Sequence, residues 1–269
     1  MAVISLASTR GAPGVTTAAL SLAMLWPRPA VLVEADVSGG SSILAGYLKG
    51  AVVPDRGLVS LAVAHRRGAL DQQFYDQTIP LIDNRVRLVP GLVSSQQAAS
   101  MDKLWSPLGI VLAALERTGT DVIIDTGRLG MTHAPTPLIR ASDAVLLVTR
   151  TDLPAVSAAR ARIGSLRDDL VQRGQGDDTL ALLLVGEGRP YKAKEIHKAL
   201  DTPVLASLAW DPTAADALSI GAPYGRKFAA APLLRSARVA VAATQELIHR
   251  HRTLLAPASD DLTKEHTYG

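Results

Sequence analysis

The segment Ser8–Thr17 contains the residue types of a turn that binds an anion. It follows a short apolar run, Val3–Ala7, and precedes an apolar segment with helical spacing, Ala18–Leu25. A turn between a strand and a helix N-terminus exposes backbone N–H groups and the positive end of the helix dipole, and both stabilise a phosphate. With Gly11 and Gly14 in the turn, we predict a phosphate-binding site near the N-terminus.

Compared with the P-loop pattern G-x-x-x-x-G-K-[ST], this turn matches at two of the four fixed positions and departs at the other two. Gly14 and Thr16 stand at the second glycine and at the hydroxyl that binds magnesium. Thr9 replaces the first glycine, and Val15 replaces the lysine that contacts the β- and γ-phosphates. Pro13 removes one N–H group from the turn. On the motif alone, an ordinary strand-to-helix turn is an equally good interpretation.

Two aspartates follow other apolar runs. Asp36 ends the stretch Val33-Glu34-Ala35-Asp36, and Asp125 follows Ile123-Ile124. Because the carboxyl ends of parallel strands meet at one edge of a sheet, both carboxylates are expected beside the turn. Phosphate, hydroxyl and carboxylate oxygens are the ligands of a magnesium nucleotide, so Thr16 and Asp125 are the predicted magnesium ligands. The alternative is that Asp36 and Asp125 only cap loops.

Seven apolar runs predict the strands that position these residues. They are continuous rather than alternating, which is typical of strands covered on both faces of a parallel sheet. Segments with helical period lie between most of them. The sequence therefore predicts a doubly wound α/β fold, with a mostly parallel sheet of about seven strands and helices on both faces. The runs are Val3–Ala7, Val31–Val33, Val86–Val89, Val122–Ile124, Ala144–Val148, Leu180–Val185 and Val204–Leu208.

The helical segments carry start and stop signals. Ser106-Pro107 predicts an N-cap followed by a proline in the first turn, and Gly119 predicts the end of that helix. Asp152-Leu153-Pro154 predicts the start of another helix, and Leu58–Arg66 could form a short one. No shift in composition marks a domain boundary, so a single domain is predicted over 1–256, followed by a flexible polar tail over 257–269.

The turn resembles the deviant Walker A motif, K-G-G-x-G-K-[ST]-T, of the ParA/MinD family of P-loop ATPases. In that alignment Arg10 falls on the signature lysine, which in the family reaches a nucleotide across a dimer interface. Asp36 falls on the aspartate associated with the attacking water, and Asp125 falls on the Walker B carboxylate. The resemblance implies a homodimer, catalytic roles for these two aspartates, and ATP or ADP with magnesium as the ligand. The implied nucleotide-binding residues are Arg10, Gly11, Gly14, Val15, Thr16 and Thr17.

A closer resemblance suggests a cellular role. Gly-x-Pro-Gly-Val-Thr-Thr, together with Glu-Ala-Asp at 34–36, looks like the MinD-like proteins of actinobacteria. Some of these resemble the CpaE/TadZ localisation factors of Tad-type pilus and secretion systems. The resemblance implies a positioning or scaffolding factor, with a protein partner from a pilus, secretion or partitioning machinery.

The departures from the motif limit what the resemblance implies about catalysis. Without a lysine at Val15, the phosphates lose a charge-assisted contact of about 1.5–3 kcal/mol. The family also has an adenine-binding Asn where this chain has Val185-Gly186-Glu187-Gly188. We therefore predict weak or absent ATP hydrolysis. An active ATPase that uses Arg10 in place of the lysine is the alternative.

A dinucleotide-binding oxidoreductase is a further alternative. Glu34 follows the turn by about twenty residues, which is where such enzymes place the acid that binds the ribose. The required G-x-G-x-x-G is absent, since only Gly11 and Gly14 are present, and this alternative is the least favoured.

The composition excludes several classes of protein. The chain has no cysteine, which excludes disulfide scaffolds, thiolate metal sites and cysteine nucleophiles. With 48% hydrophobic and 20% charged residues it is not intrinsically disordered. The longest apolar stretch, Thr17–Ala35, is interrupted by Pro27-Arg28-Pro29, so no membrane-spanning segment is predicted. We expect a cytoplasmic protein, with recruitment to a membrane or cell pole through a partner as an option.

Basic residues lie on a predicted long helix toward the C-terminus. They are Arg235, Arg238 and the stretch His249-Arg250-His251-Arg252. The ParA/MinD resemblance makes non-specific DNA binding through such a helix an option. A solvated helical face is favoured, because the net charge is only +3 and aromatic residues make up only 4% of the chain.

Overall fold

A computed structural model describes residues 2–11, 14–52, 55–83 and 85–255 of the chain. The predicted tail over 257–269 lies outside these residues, and so does Pro13 of the predicted turn.

Within the described residues, eight strands form one sheet in the order β3-β4-β2-β5-β1-β6-β7-β8. Seven of them are mutually parallel, and only β3 is antiparallel to its neighbour. The predicted doubly wound α/β fold is therefore confirmed. The strands are β1 (Val3–Ser8), β2 (Ala30–Glu34), β3 (Ile79–Ile82), β4 (Val86–Val89), β5 (Asp121–Arg128), β6 (Ala144–Arg150), β7 (Leu180–Val185) and β8 (Val204–Leu208).

Helices cover both faces of this sheet. One face packs against α1, α8 and α9, and the other packs against α2, α3 and α4 at one end and α5, α6 and α7 at the other. The helices of the described chain are α1 (Val15–Leu25), α2 (Leu58–Arg66), α3 (Leu70–Gln73), α4 (Trp105–Ala114), α5 (Thr136–Arg140), α6 (Leu153–Arg173), α7 (Ala193–Leu200), α8 (Pro212–Ser219) and α9 (Pro232–Leu255).

The continuous apolar runs reflect burial on both faces. In β1, Ile4 and Leu6 face the α1 side of the sheet while Val3 faces the α4 side, and in β6 successive residues alternate in the same way. Because both faces are covered, no polar alternation is needed, and the central strands are almost entirely inaccessible to solvent.

The structure differs from the sequence prediction at two elements. The edge strand β3 was missed because Pro80 lies inside it, and proline is tolerated only at a sheet edge. Helix α4 begins at Trp105, so Ser106 and Pro107 lie in its first turn and Ser106 is not the N-cap. The preceding 3₁₀ segment supplies the start of this helix, through the N–H of Leu104 bonding the carbonyl of Met101 at 2.8 Å.

Other helix signals are confirmed. The Asp152 carboxylate accepts a hydrogen bond from the N–H of Ala155 at 2.9 Å and caps α6. Gly119, at φ +69°, ends the 3₁₀ turn that follows α4, and the short helix over Leu58–Arg66 is present.

The basic residues of α9 do not form one basic surface. His251 is buried and its Nδ1 lies 2.6 Å from Asp178, while Arg252 pairs with Asp143 at 2.9 Å. Arg235, Arg238, His249 and Arg250 are exposed, and Arg250 lies 3.7 Å from Glu246.

A buried carboxylate at the start of β5 joins three elements. Asp121 is 2% exposed and accepts hydrogen bonds from the N–H of Ala2 at 2.6 Å and from the indole of Trp26 at 2.8 Å. Arg28 lies 3.6 Å away. The Asp121 carboxylate therefore fixes the end of α1 and the beginning of β1 at the edge of the sheet where the parallel strands begin.

Replacing Asp121→Ala should lower the free energy of unfolding by about 3 kcal/mol, because two buried N–H donors lose their acceptor. Urea unfolding measures the change. Asp168→Ala, on the exposed side of α6, is the control and should change stability by less than about 0.5 kcal/mol. Equal effects of the two substitutions would contradict this role for Asp121.

Candidate functional site

The turn between β1 and α1 places the N-terminus of a helix at the carboxyl edge of the sheet. Gly14 is the N-cap residue of α1 and has φ +97°, a conformation that favours glycine. Its carbonyl accepts the first helical hydrogen bond, from the N–H of Ala18 at 2.8 Å. No side chain of the described residues caps this end. The first-turn N–H groups, including those of Thr16 and Thr17, are therefore available to an anion.

Thr16 and Asp125 are in direct contact, although 109 residues separate them. The Thr16 hydroxyl donates a hydrogen bond to Oδ2 of Asp125, and the N–H of Gly127 donates to Oδ1 at 2.9 Å. Asp125 lies inside β5 rather than after its last residue, because β5 continues to Arg128 past an irregularity in its pairing with β1. The structure therefore brings together the two predicted magnesium ligands.

Burial controls the protonation of Asp125. The side chain is 2% exposed, and desolvation raises its pKa to about 6, although the hydrogen bonds from Thr16 and Gly127 oppose the shift. The negative charge of Asp36 makes a smaller contribution to the same rise in pKa. A divalent cation at this carboxylate would favour its ionised form.

Asp36 lies over the backbone that follows Asp125. Its Oδ1 accepts a hydrogen bond from the N–H of Ser38 at 2.8 Å, which is the loop-capping role considered as the alternative. Its carboxyl group also packs on Gly127, where a Cβ would overlap it, and Gly127 has φ +66°. The loop after β2 is thus held against β5 at Gly127, and both residues line the large cavity described below.

Glu34 is a third carboxyl group at this edge. It is 6% exposed, and both its oxygens lie 2.7 Å from the Ser41 hydroxyl, which donates to them. Desolvation raises the pKa of Glu34 to about 7, opposed by the hydrogen bonds from Ser41 and from the N–H of Gly91. Glu34 lines a polar cavity of about 50 Å³ that it shares with Thr16 and Asp125, and it does not line the larger cavity described next.

A cavity of about 580 Å³ opens above the turn, a volume in the usual range for small-ligand sites. The predicted residues Arg10, Gly11, Gly14, Val15, Thr16, Thr17 and Asp36 all line it. Two arginines that the sequence interpretation had not singled out, Arg128 and Arg150, also line it, and so does Trp210. Arg128 and Arg150 end β5 and β6, four and two residues after the apolar runs Val122–Ile124 and Ala144–Val148, and this position was the available signal.

Val15 supplies no charge to this cavity. It is the first residue of α1, is 6% exposed, and packs in the apolar cluster beneath the sheet edge. Arg10 is exposed on the cavity wall. Glu187 lies in the segment 185–188, where the resemblance predicts an adenine-binding Asn. Its carboxylate accepts hydrogen bonds from the N–H of Ala193 at 3.0 Å and from the Ser207 hydroxyl at 2.7 Å.

Two other kinds of site are absent from the described residues. No group of three or more His, Asp or Glu side chains there is arranged to hold a metal ion by itself. None of the helices described is both long enough and apolar enough to span a bilayer.

The fold is shared with solved structures of nucleotide-binding proteins. The cell division ATPase MinD of Pyrococcus furiosus superposes with a TM-score of 0.70 at 19% identity, covering 91% of this chain and 99% of that one. The chain has the fold of the MinD and ParA ATPases. No protein-family model and no curated protein matches the sequence.

Two further structures with the MinD/ParA fold contain nucleotide. The septum site-determining protein MinD of Pyrococcus horikoshii, complexed with Mg-ADP, has a TM-score of 0.69 at 17% identity, with 93% of this chain and 98% of that chain covered. A putative plasmid partition protein of Borrelia burgdorferi bound to AMPPNP has a TM-score of 0.60 at 14% identity, with 91% and 98% covered.

The raised pKa of Glu34 makes the stability of this MinD/ParA-like fold depend on pH. The folded chain keeps the Glu34 proton up to about pH 7, whereas the unfolded chain loses it near pH 4.5. Stability from this group is therefore fully present below about pH 4.5 and is lost as the pH rises to about 7. Glu34→Gln, which does not titrate, should gain up to about 3 kcal/mol over the wild type between those limits.

Urea unfolding at several pH values measures the difference between the two curves. Glu246→Gln, with a side chain 63% exposed on α9, is the control and should leave the pH profile unchanged. A Glu34→Gln curve parallel to that of the wild type would show that Glu34 titrates normally.

Proposed function

We propose that this chain is a positioning or scaffolding protein of the MinD/ParA type that binds a magnesium nucleotide and hydrolyses it slowly or not at all. The observation that carries the proposal is the contact between Thr16 and Asp125 beside the open N-terminus of α1, next to a buried Val15. The contact between Thr16 and Asp125 and the open helix N-terminus are parts of a magnesium-phosphate site. Val15 stands where such a site usually has the ammonium group of a lysine. The site lies in a single domain over 1–256.

The donor groups present fit a magnesium nucleotide. The N–H groups at Val15–Thr17 would hold the phosphates, while the Thr16 hydroxyl and the Asp125 carboxylate would hold the cation. Bound magnesium neutralises charge on the phosphate oxygens. Asp36, on the cavity wall beside Gly127, is the residue proposed to orient the attacking water. Without an ammonium group at position 15, stabilisation of charge in the transition state is weakened.

Structural neighbours with the same fold support the proposed cellular role. One structural neighbour is a septum site-determining protein and another is a putative plasmid partition protein. We propose a homodimer that acts on a protein partner of a pilus, secretion or partitioning machinery, in the manner of the CpaE/TadZ factors. The chain would act in the cytoplasm and reach a membrane or cell pole through that partner. Non-specific DNA binding is not favoured, since His251 and Arg252 of the basic helix are paired with acids.

An active ATPase is the competing function, and a specific observation favours it. Arg10 is exposed on the wall of the cavity, where its guanidinium could contact a phosphate. A planar guanidinium does not reproduce the compact charge of a lysine.

Restoring the lysine should strengthen nucleotide binding. We expect Val15→Lys to lower the Kd for Mg-ATP by between about tenfold and about 150-fold, the equivalent of one charge-assisted contact of 1.5–3 kcal/mol. Calorimetry with Mg-ATP and Mg-ADP measures the Kd values of the wild type and the variant. Val15→Met, which adds a similar stem without the charge, is the control and should leave the Kd unchanged. If Val15→Met strengthened binding equally, the missing charge would not be the cause.

Phosphate release measures the catalytic part of the proposal. We expect the wild type to release phosphate from ATP at a rate indistinguishable from that of Asp125→Ala, because the transition state lacks its ammonium group. Turnover at an ordinary ATPase rate that Asp125→Ala and Arg10→Ala both abolish would overturn the proposal and establish the active ATPase.

A further inference from the structure

The loop between α8 and α9 exposes apolar side chains to solvent. Ile220, directly after α8, is 70% exposed, and Tyr224 is 55% exposed. The ring of Tyr224 stacks on that of Phe228, with centroids 4.1 Å apart, and Phe228 packs on the apolar core beneath α1, α8 and α9. Neither Ile220 nor Tyr224 lines the two cavities of the candidate site, so this surface is separate from it.

Contacts with neighbouring elements hold the loop in place. A Cβ at Gly221 would lie 2.3 Å from the carbonyl oxygen of Gly46 and 3.0 Å from Cγ of Lys49, so the loop packs closely on the segment that follows β2. On its other side, the guanidinium of Arg238 on α9 donates a hydrogen bond to the carbonyl of Ala229 at 2.9 Å. These contacts also place the charges of Lys49 and Arg238 beside the loop.

The charges of the loop itself are positive. Between Asp216 and Glu246 the chain contains no acidic residue. Arg226 and Lys227 lie in this interval and are exposed, and neither forms an ion pair with any of the described residues. With Lys49 beside them, they surround the exposed apolar side chains with unpaired positive charge.

One acidic residue borders this surface. Burial raises the pKa of Tyr47, and Tyr224 and Asp83 add to the rise, so Asp83 lies within electrostatic reach of Tyr47. Asp83 is exposed in the turn between β3 and β4. A single carboxylate at the margin leaves the surface positive, because at least three cations face it.

Among anionic partners, a lipid surface fits this mixture of side chains best. Protruding aliphatic and aromatic side chains enter the interfacial layer of a bilayer, while Lys and Arg pair with anionic headgroups. A nucleic acid backbone would use the same cations, but its phosphates offer no apolar contact to Ile220. An acidic peptide would bind best in a groove, whereas Ile220 and Tyr224 are each more than half exposed and protrude.

We propose that the loop surface, defined by Lys49, Ile220, Tyr224, Arg226 and Lys227, binds an anionic bilayer directly. Ile220 and the Tyr224 ring enter the interfacial layer, and the three cations pair with the phosphates of the headgroups. With so few apolar side chains the binding is weak and reversible. This contact goes beyond the proposed function: it adds to recruitment through a partner and uses no residue of the nucleotide site.

Sedimentation of the purified full chain with vesicles tests the inference. The chain should bind vesicles of phosphatidylcholine that contain about one-third phosphatidylglycerol, and it should not bind phosphatidylcholine alone. Added salt should weaken the binding, because exposed charges are screened. Arg226→Gln combined with Lys227→Gln should lower the partition constant about 30-fold, since each cation near an anionic surface contributes about fivefold. Ile220→Ser should lower it by between about threefold and about tenfold.

Matched control variants lie on the other face of the sheet. Ile110 on α4 is 72% exposed, so Ile110→Ser removes the same apolar side chain at nearly the same exposure. Lys194→Gln combined with Lys198→Gln on α7 removes the same number of exposed charges. Both controls should leave vesicle binding unchanged. If they weakened it as much as the variants of the loop surface, the inference would be wrong.

A fluorescent label distinguishes insertion from attraction at a distance. Because the chain has no cysteine, Ile220→Cys and Ile110→Cys each provide one thiol for an environment-sensitive nitrobenzoxadiazole label. Emission from the label at 220 should shift to the blue on the anionic vesicles, and emission from the label at 110 should not. An unshifted label at 220 on vesicle-bound protein would overturn the inference.

Duplex DNA and polyglutamate are the probes for the other anionic partners. If either bound the wild type under conditions in which the anionic vesicles did not, and Arg226→Gln with Lys227→Gln weakened that binding, the surface would belong to nucleic acid or to an acidic protein. Failure of vesicle binding alone would also overturn the inference.

The proposed function and this inference fail separately. The variants of the loop surface should keep the wild-type Kd for Mg-ATP in calorimetry and the wild-type urea unfolding curve. A chain that binds Mg-ATP but no vesicles would retain the proposed function and lose only the lipid contact. A chain that binds vesicles through Ile220 but no nucleotide would do the reverse.

Discussion

A buried carboxyl group on a strand between two parallel neighbours is the constraint on which the rest of the site depends. Asp125 lies inside β5, where water cannot solvate it, so it must be neutral, hydrogen-bonded or close to a cation. The Thr16 hydroxyl and the N–H of Gly127 supply the hydrogen bonds. Because Thr16 belongs to the first turn of α1, satisfying this carboxylate also fixes the helix N-terminus over the sheet edge.

Three carboxyl groups lie close together at the same edge of the sheet. Glu34, Asp36 and Asp125 approach one another there, and burial raises the pKa of two of them. In a complete P-loop a lysine lies at position 15, but here Val15 contributes apolar packing to the core. The positive side chains of the site are arginines on the wall of the cavity, Arg10, Arg128 and Arg150. The absence of an ammonium group at position 15 is the reason that we propose slow or no hydrolysis.

The spacing of residues along the chain predicted much of this arrangement. Apolar runs followed by Thr16, Asp36 and Asp125 were sufficient to predict a parallel sheet and to place the three at one edge, because strand direction determines which ends meet. Local signals also located the start of α6 at Asp152. The strand at Ile79–Ile82 was missed, because an internal proline obscures an edge strand.

Other features depend on neighbours that are distant in sequence. The burial of Glu34 requires Gly91, and the orientation of Trp210 requires Arg150, Gly186 and Arg189, none of which is local to it. No periodicity or motif encodes such a grouping. Its members become visible only when the ends of β6, β7 and β8 are placed side by side.

The packing of Asp36 on Gly127 has a mechanical consequence. The loop after β2 and the loop after β5 have no room to slide past each other, since the carboxyl group occupies the space that a Cβ would take. Gly127 also has φ +66°, so its backbone conformation and its contact with Asp36 both exclude a side chain at this position.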